Sequence, residues 1–282
     1  MTNSYANIVT FLLTTLCYYM ALKPTIHYAE YVNKDTYKTY VSNHYLYLAI
    51  YLVLVMVIQF VVNSSIIAST CGGSISENMG AAGVFTFIPW ILIFGIIIVV
   101  LIVYPGFKSA FADVIGYFYV SSAANALLTE LLMNRDVEKA LGPEAGADAK
   151  EKMQDAADLI VKICGNMSVL INQIVPSNFD NYWNLLTPLK KLKYQNDGDA
   201  ITSELKTKLF DLVVTRDTIG EAMWFIYTGL LITSIVQLKI TTRGCASNPK
   251  TMEQNYQKFV SAQEEADSKH EQATSTTYTI TN

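Results

Sequence analysis

Long stretches without a charged side chain restrict this chain more than any other feature. Residues 83–104 contain no Asp, Glu, Lys, Arg or His, and a helix that crosses a bilayer needs about 20 mainly apolar residues. Three further stretches of this kind are residues 6–22, 45–62 and 222–238. Only 16% of the chain is charged, against about 25% in soluble domains. The sequence therefore predicts four membrane spans.

The predicted fold class is an all-α integral membrane protein with a small helical extramembrane domain between its third and fourth spans. Residues 1–104 hold three transmembrane helices with short loops, and residues 105–221 form the extramembrane helical domain. Residues 222–238 are the fourth transmembrane helix, and residues 239–282 are an extramembrane tail with one amphipathic helix. Apolar residues with helical spacing dominate the domain, and no strand pattern competes with them.

Four spans place the N-terminus and the tail on one side of the membrane, here called side A, and residues 105–221 on the opposite side B. The first span has no basic region before it and no A-x-A site, so we interpret it as a retained anchor rather than a cleaved signal. Basic residues near span ends favour side B, where they are Lys23, Lys34, Lys38, Lys108, Lys206, Lys208 and Arg216, against Lys239, Arg243 and Lys250 on side A. The positive-inside rule then places side B in the cytosol, and the inverted topology is the alternative.

An aromatic cluster lies in the predicted domain, outside the lipid. Pro176 and Ser177 start a helix there, with Ser177 or Asn178 as its cap, and Pro188 limits it. The helix carries Phe179, Tyr182 and Trp183. Two interpretations remain open: the aromatic rings fill the core of the domain, or they face a partner protein. For the second, the predicted contacts are Phe179, Tyr182, Trp183, Lys190 and Lys191.

The tail carries a narrow apolar stripe on a charged helix, made by Met252, Tyr256, Phe259 and Val260. Such a stripe is too small to form a core by itself. We therefore predict that the tail docks against a partner, with Tyr256 and Phe259 as contacts; docking against the bundle of its own chain is the alternative.

Four cysteines are present, and none forms a CxxC pair. The four-span topology places Cys71 and Cys245 close to span ends on side A, so we predict a disulfide between them. The alternatives are two free thiols, or palmitoylation near the bilayer. Cys17 and Cys164 are interpreted as apolar packing residues.

Catalytic and metal-binding patterns are missing from the sequence. The predicted spans hold no ionisable residue of the kind that pumps and proton relays use. Gln59 and Gln237 are interpreted as interhelical hydrogen-bonding residues, with a pore-lining role as the alternative. No nucleophile, zinc or phosphate-loop pattern is found, and a net charge of −4 argues against nucleic acid. We therefore expect no enzymatic activity, no metal and no cofactor.

Two segments, "FADVIGYFYVSSAANALLTELL" and "VLINQIVPSNFDNYWNLLTPL", lie in residues 111–189. They resemble membrane-embedded structural proteins of nucleocytoplasmic large DNA viruses, the chlorella viruses and their relatives. The resemblance covers under a third of the chain and includes no catalytic motif. It implies a minor capsid protein in the internal membrane beneath a viral capsid shell.

Two functions follow from these observations. The first is a structural membrane scaffold, a viral minor capsid protein that links the internal bilayer of the virion to its protein shell. Its partners would be the lipid bilayer, capsid or other shell proteins, and other copies of itself. The alternative is a channel or pore-forming subunit, in which Thr and Ser hydroxyls of the spans line a pore and Pro89 provides a bend.

Overall fold

A computed structural model describes residues 5–71, 74–132, 167–196, 198–242 and 249–274. These residues are helical apart from turns and one isolated bridge between Leu132 and Lys190. The α helices are α1 (Ala6–Cys17), α2 (Tyr28–Val32), α3 (Lys34–Cys71), α4 (Ile75–Pro89), α5 (Gly95–Val103), α6 (Ser109–Phe111), α7 (Tyr117–Leu131), α8 (Phe179–Leu186), α9 (Ala200–Thr242) and α10 (Pro249–Thr274). Short π or 3-10 segments extend or connect several of them, namely Tyr18–Leu22, Trp90–Phe94, Pro105–Lys108, Ala112–Gly116, Met167–Gln173, Pro176–Asn178, Thr187–Leu189 and Leu192–Tyr194.

Four helices in the described residues are long and apolar enough to cross a membrane. They are Lys34–Cys71, Asn78–Val103, Pro105–Leu131 and Ala200–Thr242. For the described residues, the predicted all-helical class with four such helices is confirmed. However, one of these four helices differs from the four predicted spans. The predicted first span, Ala6–Leu22, is an apolar helix below this length, and Pro105–Leu131 meets the length and composition instead.

Helix α9 is too long to lie wholly in a bilayer. Its 43 residues extend about 64 Å at 1.5 Å per residue, roughly twice the 30 Å of a hydrocarbon core. The first half carries charged residues such as Glu204, Lys208 and Asp211, whereas residues 222–238 carry none. The second half is therefore the part suited to lipid.

Helix Pro105–Leu131 runs antiparallel to the charged half of α9. Gly116 lies against Arg216, and Gly220 lies against Ala112. A Cβ atom at Gly116 would be 2.6 Å from the Arg216 carbonyl oxygen, and one at Gly220 would be 2.7 Å from the Ala112 Cβ. The two helices approach this closely because both contact points lack a side chain. This helix thus continues from the third predicted span beside the polar half of α9.

The apolar half of the molecule has an aromatic interior. Phe11, Trp90, Phe94 and Phe225 are each at most 1% exposed, with ring centroids 5.4 Å apart for Phe11–Trp90 and for Phe94–Phe225. The outward surface is apolar as well: Leu13, Val53, Ile96 and Leu231 are between 46% and 57% exposed. A helix bundle with apolar side chains both inside and outside is suited to lipid rather than water.

A second core lies beside the charged half of α9. It includes Phe179, Trp183 and Phe210, all at most 1% exposed, and Leu128 of α7. Before α8 the chain forms the 3-10 turn Pro176–Asn178, and the Asn178 side-chain oxygen accepts a hydrogen bond from the Val175 amide at 2.8 Å. Asn178 is the N-cap residue of α8, but its side chain bonds to this preceding turn and makes no capping bond to the helix, so the predicted capping bond is not formed by Asn178.

Candidate functional site

A buried cluster of charged side chains joins three helical segments. Glu221 of α9 is 2% exposed and accepts hydrogen bonds from Lys23 Nζ at 2.5 Å and from Lys108 Nζ at 2.9 Å. Lys108 Nζ also lies 3.0 Å from Asp217 Oδ2, and the Tyr19 hydroxyl donates to Glu221 Oε1 at 3.2 Å. We call Lys23, Lys108, Asp217 and Glu221 the charged cluster.

Local structure brings these four residues together. Lys23 follows the π turn Tyr18–Leu22 that ends the first apolar helix, and Lys108 ends the turn Pro105–Lys108 after the third predicted span. Asp217 and Glu221 are four positions apart on α9, so they share one face of that helix. Two ammonium groups and two carboxylates balance in charge. This pairing offsets the large desolvation cost of burying each charge.

A cavity of about 400 Å³ adjoins the charged cluster, between the aromatic bundle and the second core. Besides the four charged residues, its walls include four tyrosines, a histidine and apolar side chains of the second and third predicted spans: Tyr31, Tyr37, Tyr40, Tyr45, His44, Leu48, Ile98 and Leu101. His44 Nδ1 is buried and has no hydrogen-bond partner within the described ranges. The cavity thus combines charged, aromatic and apolar surfaces.

A network of uncharged polar side chains lies near the opposite end of the bundle. Asn63 of α3 accepts a hydrogen bond from Asn7 Nδ2 and donates to Thr86 Oγ1, each at 2.8 Å. Gln59 Nε2 donates to the Asn7 carbonyl at 3.0 Å, and Asn7 Nδ2 donates to Gln237 Oε1 at 3.4 Å. The interhelical interpretation of Gln59 and Gln237 is confirmed, because this network links all four predicted spans.

The two polar layers are separated by about the thickness of an apolar membrane layer. From Asn7 to Lys23 along the first helix, and from Gln237 to Glu221 along α9, the rise is about 24 Å at 1.5 Å per residue. Both helices give the same separation, which is somewhat less than a hydrocarbon core of about 30 Å. The charged cluster therefore marks one boundary of the apolar layer.

The predicted contact residues of the domain lie mostly in its interior. Phe179 and Trp183 are each 1% exposed, so they fill the core, as the first of the two interpretations has it. Lys190 is 0% exposed, with its Nζ 3.7 Å from the centre of the Trp183 ring. Tyr182 is partly buried against the same core, and Lys191 Nζ donates to the Thr129 carbonyl at 3.0 Å.

The predicted contacts of the tail are on the surface. Tyr256 and Phe259 of α10 are 68% and 66% exposed. They are thus accessible to a partner, and the contact itself stays a prediction.

The two cysteines among the described residues differ in their bonding. Cys71 at the end of α3 is disulfide-bonded, while Cys17 is free and exposed on the first helix rather than packed inside. Cys164 and Cys245 lie outside the described residues. The pairing of Cys71 with Cys245 therefore stays a prediction.

Sequence reasoning missed the charged cluster. The sequence does contain a usable signal: Lys23, Lys108 and Glu221 are charges of opposite sign within four positions of the ends of three predicted spans, on the same predicted side. The positive-inside rule considers the lysines but not the carboxylates that neutralise them.

Comparison with known proteins finds no family model, curated protein or solved structure that matches this chain. Within the described residues, no group of three or more His, Cys, Asp or Glu side chains is placed to hold a metal ion. The function of this protein is therefore inferred from the geometry of the chain itself.

Proposed function

We propose that this protein is a structural membrane scaffold, which holds a helical domain in a fixed position against a bilayer. The observation that carries the proposal is the continuity of α9. Phe210 on this helix is buried in the core beside its charged half, and Phe225 is buried in the aromatic bundle. One uninterrupted helix thus belongs to two cores, and a rigid helix transmits position and force between them.

The charged cluster strengthens this connection. Lys23, Lys108 and Glu221 tie the ends of three predicted spans together where the two cores meet. Breaking a buried ion pair by removing one partner is strongly destabilising. The cluster therefore resists bending of the domain relative to the bundle.

Helix α10 supplies the surface for assembly. All of its described side chains are exposed except Val260, which is half-buried, and Tyr256 and Phe259 form an apolar stripe on it. An amphipathic helix of this kind binds in a groove of a partner or pairs with a second helix. We assign this role to contacts with shell proteins or with other copies of the chain.

The resemblance of residues 111–189 to membrane proteins of nucleocytoplasmic large DNA viruses supports a more specific role. The protein would be a minor capsid protein of the internal virion membrane, linking that bilayer to the capsid shell. This role requires binding and positioning but no catalysis, no cofactor and no nucleic acid.

The proposed orientation places residues 105–221 in the cytosol. The lysines near span ends on side B support it through the positive-inside rule. The bonded state of Cys71 on side A supports it independently, because disulfides persist in oxidising compartments and are rare in the cytosol.

The interior of the bundle favours a scaffold over a channel. Its centre is filled by aromatic side chains such as Trp90 and Phe94, both 0% exposed. Of the hydroxyls that could line a pore, those of Thr14, Thr15, Thr228 and Thr233 belong to residues that are between 1% and 6% exposed. The less buried Thr10 and Ser234 donate to carbonyl groups of their own helices. Proteoliposomes that contain the purified protein should therefore show no conductance above protein-free liposomes.

The assembly test uses particles produced with a Tyr256→Ser/Phe259→Ser double variant. We expect the variant to enter membranes at normal levels, because both side chains lie outside the apolar bundle, but to be lost from assembled particles. The matched control is Gln257→Ser, at a position on the same helix that is also exposed. Normal membrane-lined particles in the absence of the whole protein would contradict the scaffold proposal.

A further inference from the structure

The cavity beside the charged cluster has the composition of a binding site for an amphipathic molecule. Its volume of about 400 Å³ falls in the range of about 300–1,000 Å³ that small-molecule sites occupy. We propose that it binds the headgroup of one phospholipid that carries a quaternary ammonium group, a choline phospholipid. The proposal goes beyond the scaffold function and does not depend on it.

The aromatic wall suits the quaternary ammonium group. Tyr31, Tyr37, Tyr40 and Tyr45 all line the cavity, and the rings of Tyr31 and Tyr37 meet edge to face with centroids 5.5 Å apart. Aromatic rings attract a cation such as choline, and several rings around one cavity are the usual way to recognise it.

The polar wall suits the phosphate group. Lys23 and Lys108 line the cavity, and both ammonium groups carry more donors than their carboxylate partners use. His44 lines it too, and its buried Nδ1 has no partner in the described part of the chain. A phosphate oxygen would give this nitrogen the hydrogen bond that buried polar atoms normally have.

The charge balance selects a zwitterionic headgroup. Lys23 and Lys108 are already neutralised by Asp217 and Glu221, so an anionic lipid would bring an uncompensated charge next to two carboxylates. A choline phospholipid carries one positive and one negative group and leaves the site neutral.

The apolar wall suits the acyl chains. Leu48 of the second predicted span and Ile98 and Leu101 of the third also line the cavity. Tyr37 and Tyr45 are 41% and 47% exposed, so they lie at its accessible rim. The charged cluster marks a boundary of the apolar layer, which is the depth at which phospholipid headgroups lie.

The test is native mass spectrometry of the full chain, released from detergent micelles that contain equal amounts of dioleoylphosphatidylcholine and dioleoylphosphatidylglycerol. We expect one retained phosphatidylcholine per chain, in excess over phosphatidylglycerol by about thirtyfold, the effect of a desolvated cation–π contact. Equal retention of the two lipids by the unaltered protein would by itself contradict the proposal.

Two variants locate the bound lipid. Tyr37→Ala and His44→Ala should each reduce retained phosphatidylcholine severalfold, while Tyr119→Ala, an exposed tyrosine at 73% outside the cavity, should leave it unchanged. Thermal unfolding of each variant shows whether it folds. Folded variants that keep the lipid at the level of the unaltered protein place it elsewhere and contradict the proposal.

Glycerophosphocholine, which has the same headgroup without acyl chains, distinguishes a lipid from a soluble ligand. We expect it to displace phosphatidylcholine only at a large molar excess, because it cannot contact Leu48, Ile98 and Leu101. Displacement at equal concentration would contradict the assignment of a membrane lipid.

Discussion

Glu221 and Lys23 are 198 positions apart in the sequence, yet their side chains form a buried ion pair with Oε1 and Nζ separated by 2.5 Å. The pair closes the helical bundle from its first helix to its last, at the level where the aromatic interior meets the second core. Lys108 completes the arrangement from a third segment. This contact therefore connects the fold of the bundle to the position of the domain.

Replacement of Glu221 tests the importance of this contact. Glu221→Gln leaves two buried ammonium groups without their shared carboxylate, so we expect a loss of about 3–5 kcal/mol in the free energy of unfolding. Denaturant unfolding in detergent measures it. Glu204→Gln is the control on the same helix, since Glu204 pairs with Lys208 on the exposed surface. If both substitutions lowered the free energy of unfolding equally, the buried ion pairs of Glu221 would contribute no more to stability than the exposed pair of Glu204.

The glycine contacts between α9 and the helix Pro105–Leu131 lead to a second prediction. Gly220→Ala should cost about 1–3 kcal/mol of stability through overpacking, because the added Cβ would lie 2.7 Å from the Ala112 Cβ. Gly80→Ala is the matched change, with nothing within 4 Å of its added Cβ. It should stabilise the protein by about 0.5–1 kcal/mol through helix propensity. Thermal unfolding of both variants shows whether Gly220→Ala lowers and Gly80→Ala raises the stability of the protein.

The uncharged network at the other end of the bundle should contribute moderately. Asn63→Ala removes hydrogen bonds to Asn7 and Thr86, and each such interhelical bond in a membrane is worth about 0.6 kcal/mol, up to about 1.7. We expect a loss of about 1–2 kcal/mol in detergent unfolding. Ser65→Ala serves as the control, because Ser65 is exposed and its hydroxyl donates to the Val61 carbonyl of its own helix.

Trp183 distinguishes the two interpretations of the aromatic cluster. Trp183→Ala should destabilise the protein by about 3–5 kcal/mol, since it removes a core side chain and the ring over which the Lys190 ammonium lies at 3.7 Å. Leu185→Ala, on the same helix but at a position 67% exposed, should change stability by less than about 0.5 kcal/mol. A stable Trp183→Ala variant that fails only in assembly would support the partner interpretation instead.

The partner of Cys71 can be identified on a non-reducing gel after alkylation. We expect the mobility difference between reduced and non-reduced protein to disappear in Cys71→Ser and in Cys245→Ser, and to remain in Cys164→Ser. Loss of the difference in Cys164→Ser, with retention in Cys245→Ser, would contradict the predicted pair.

The spans could be predicted because membrane insertion depends on a local property. Residues 83–104 and 222–238 are apolar over the length of a bilayer, and no distant contact is needed to recognise this. Residues 105–131 were harder to assign, since they are also long and apolar enough. Their place beside the charged half of α9 depends on the close contacts of Gly116 and Gly220, which only packing reveals.

The sequence by itself determined the helical class, the apolar lengths and the shared face of Phe179 and Trp183, because all three follow from composition and helical period along the chain. Only the tertiary structure decided that this face is buried by other segments of the same chain, and that Glu221 contacts Lys23 and Lys108. Those contacts depend on the rotation and register of helices far apart in sequence. Rotation and register are fixed by the packing of the whole bundle rather than by any one segment.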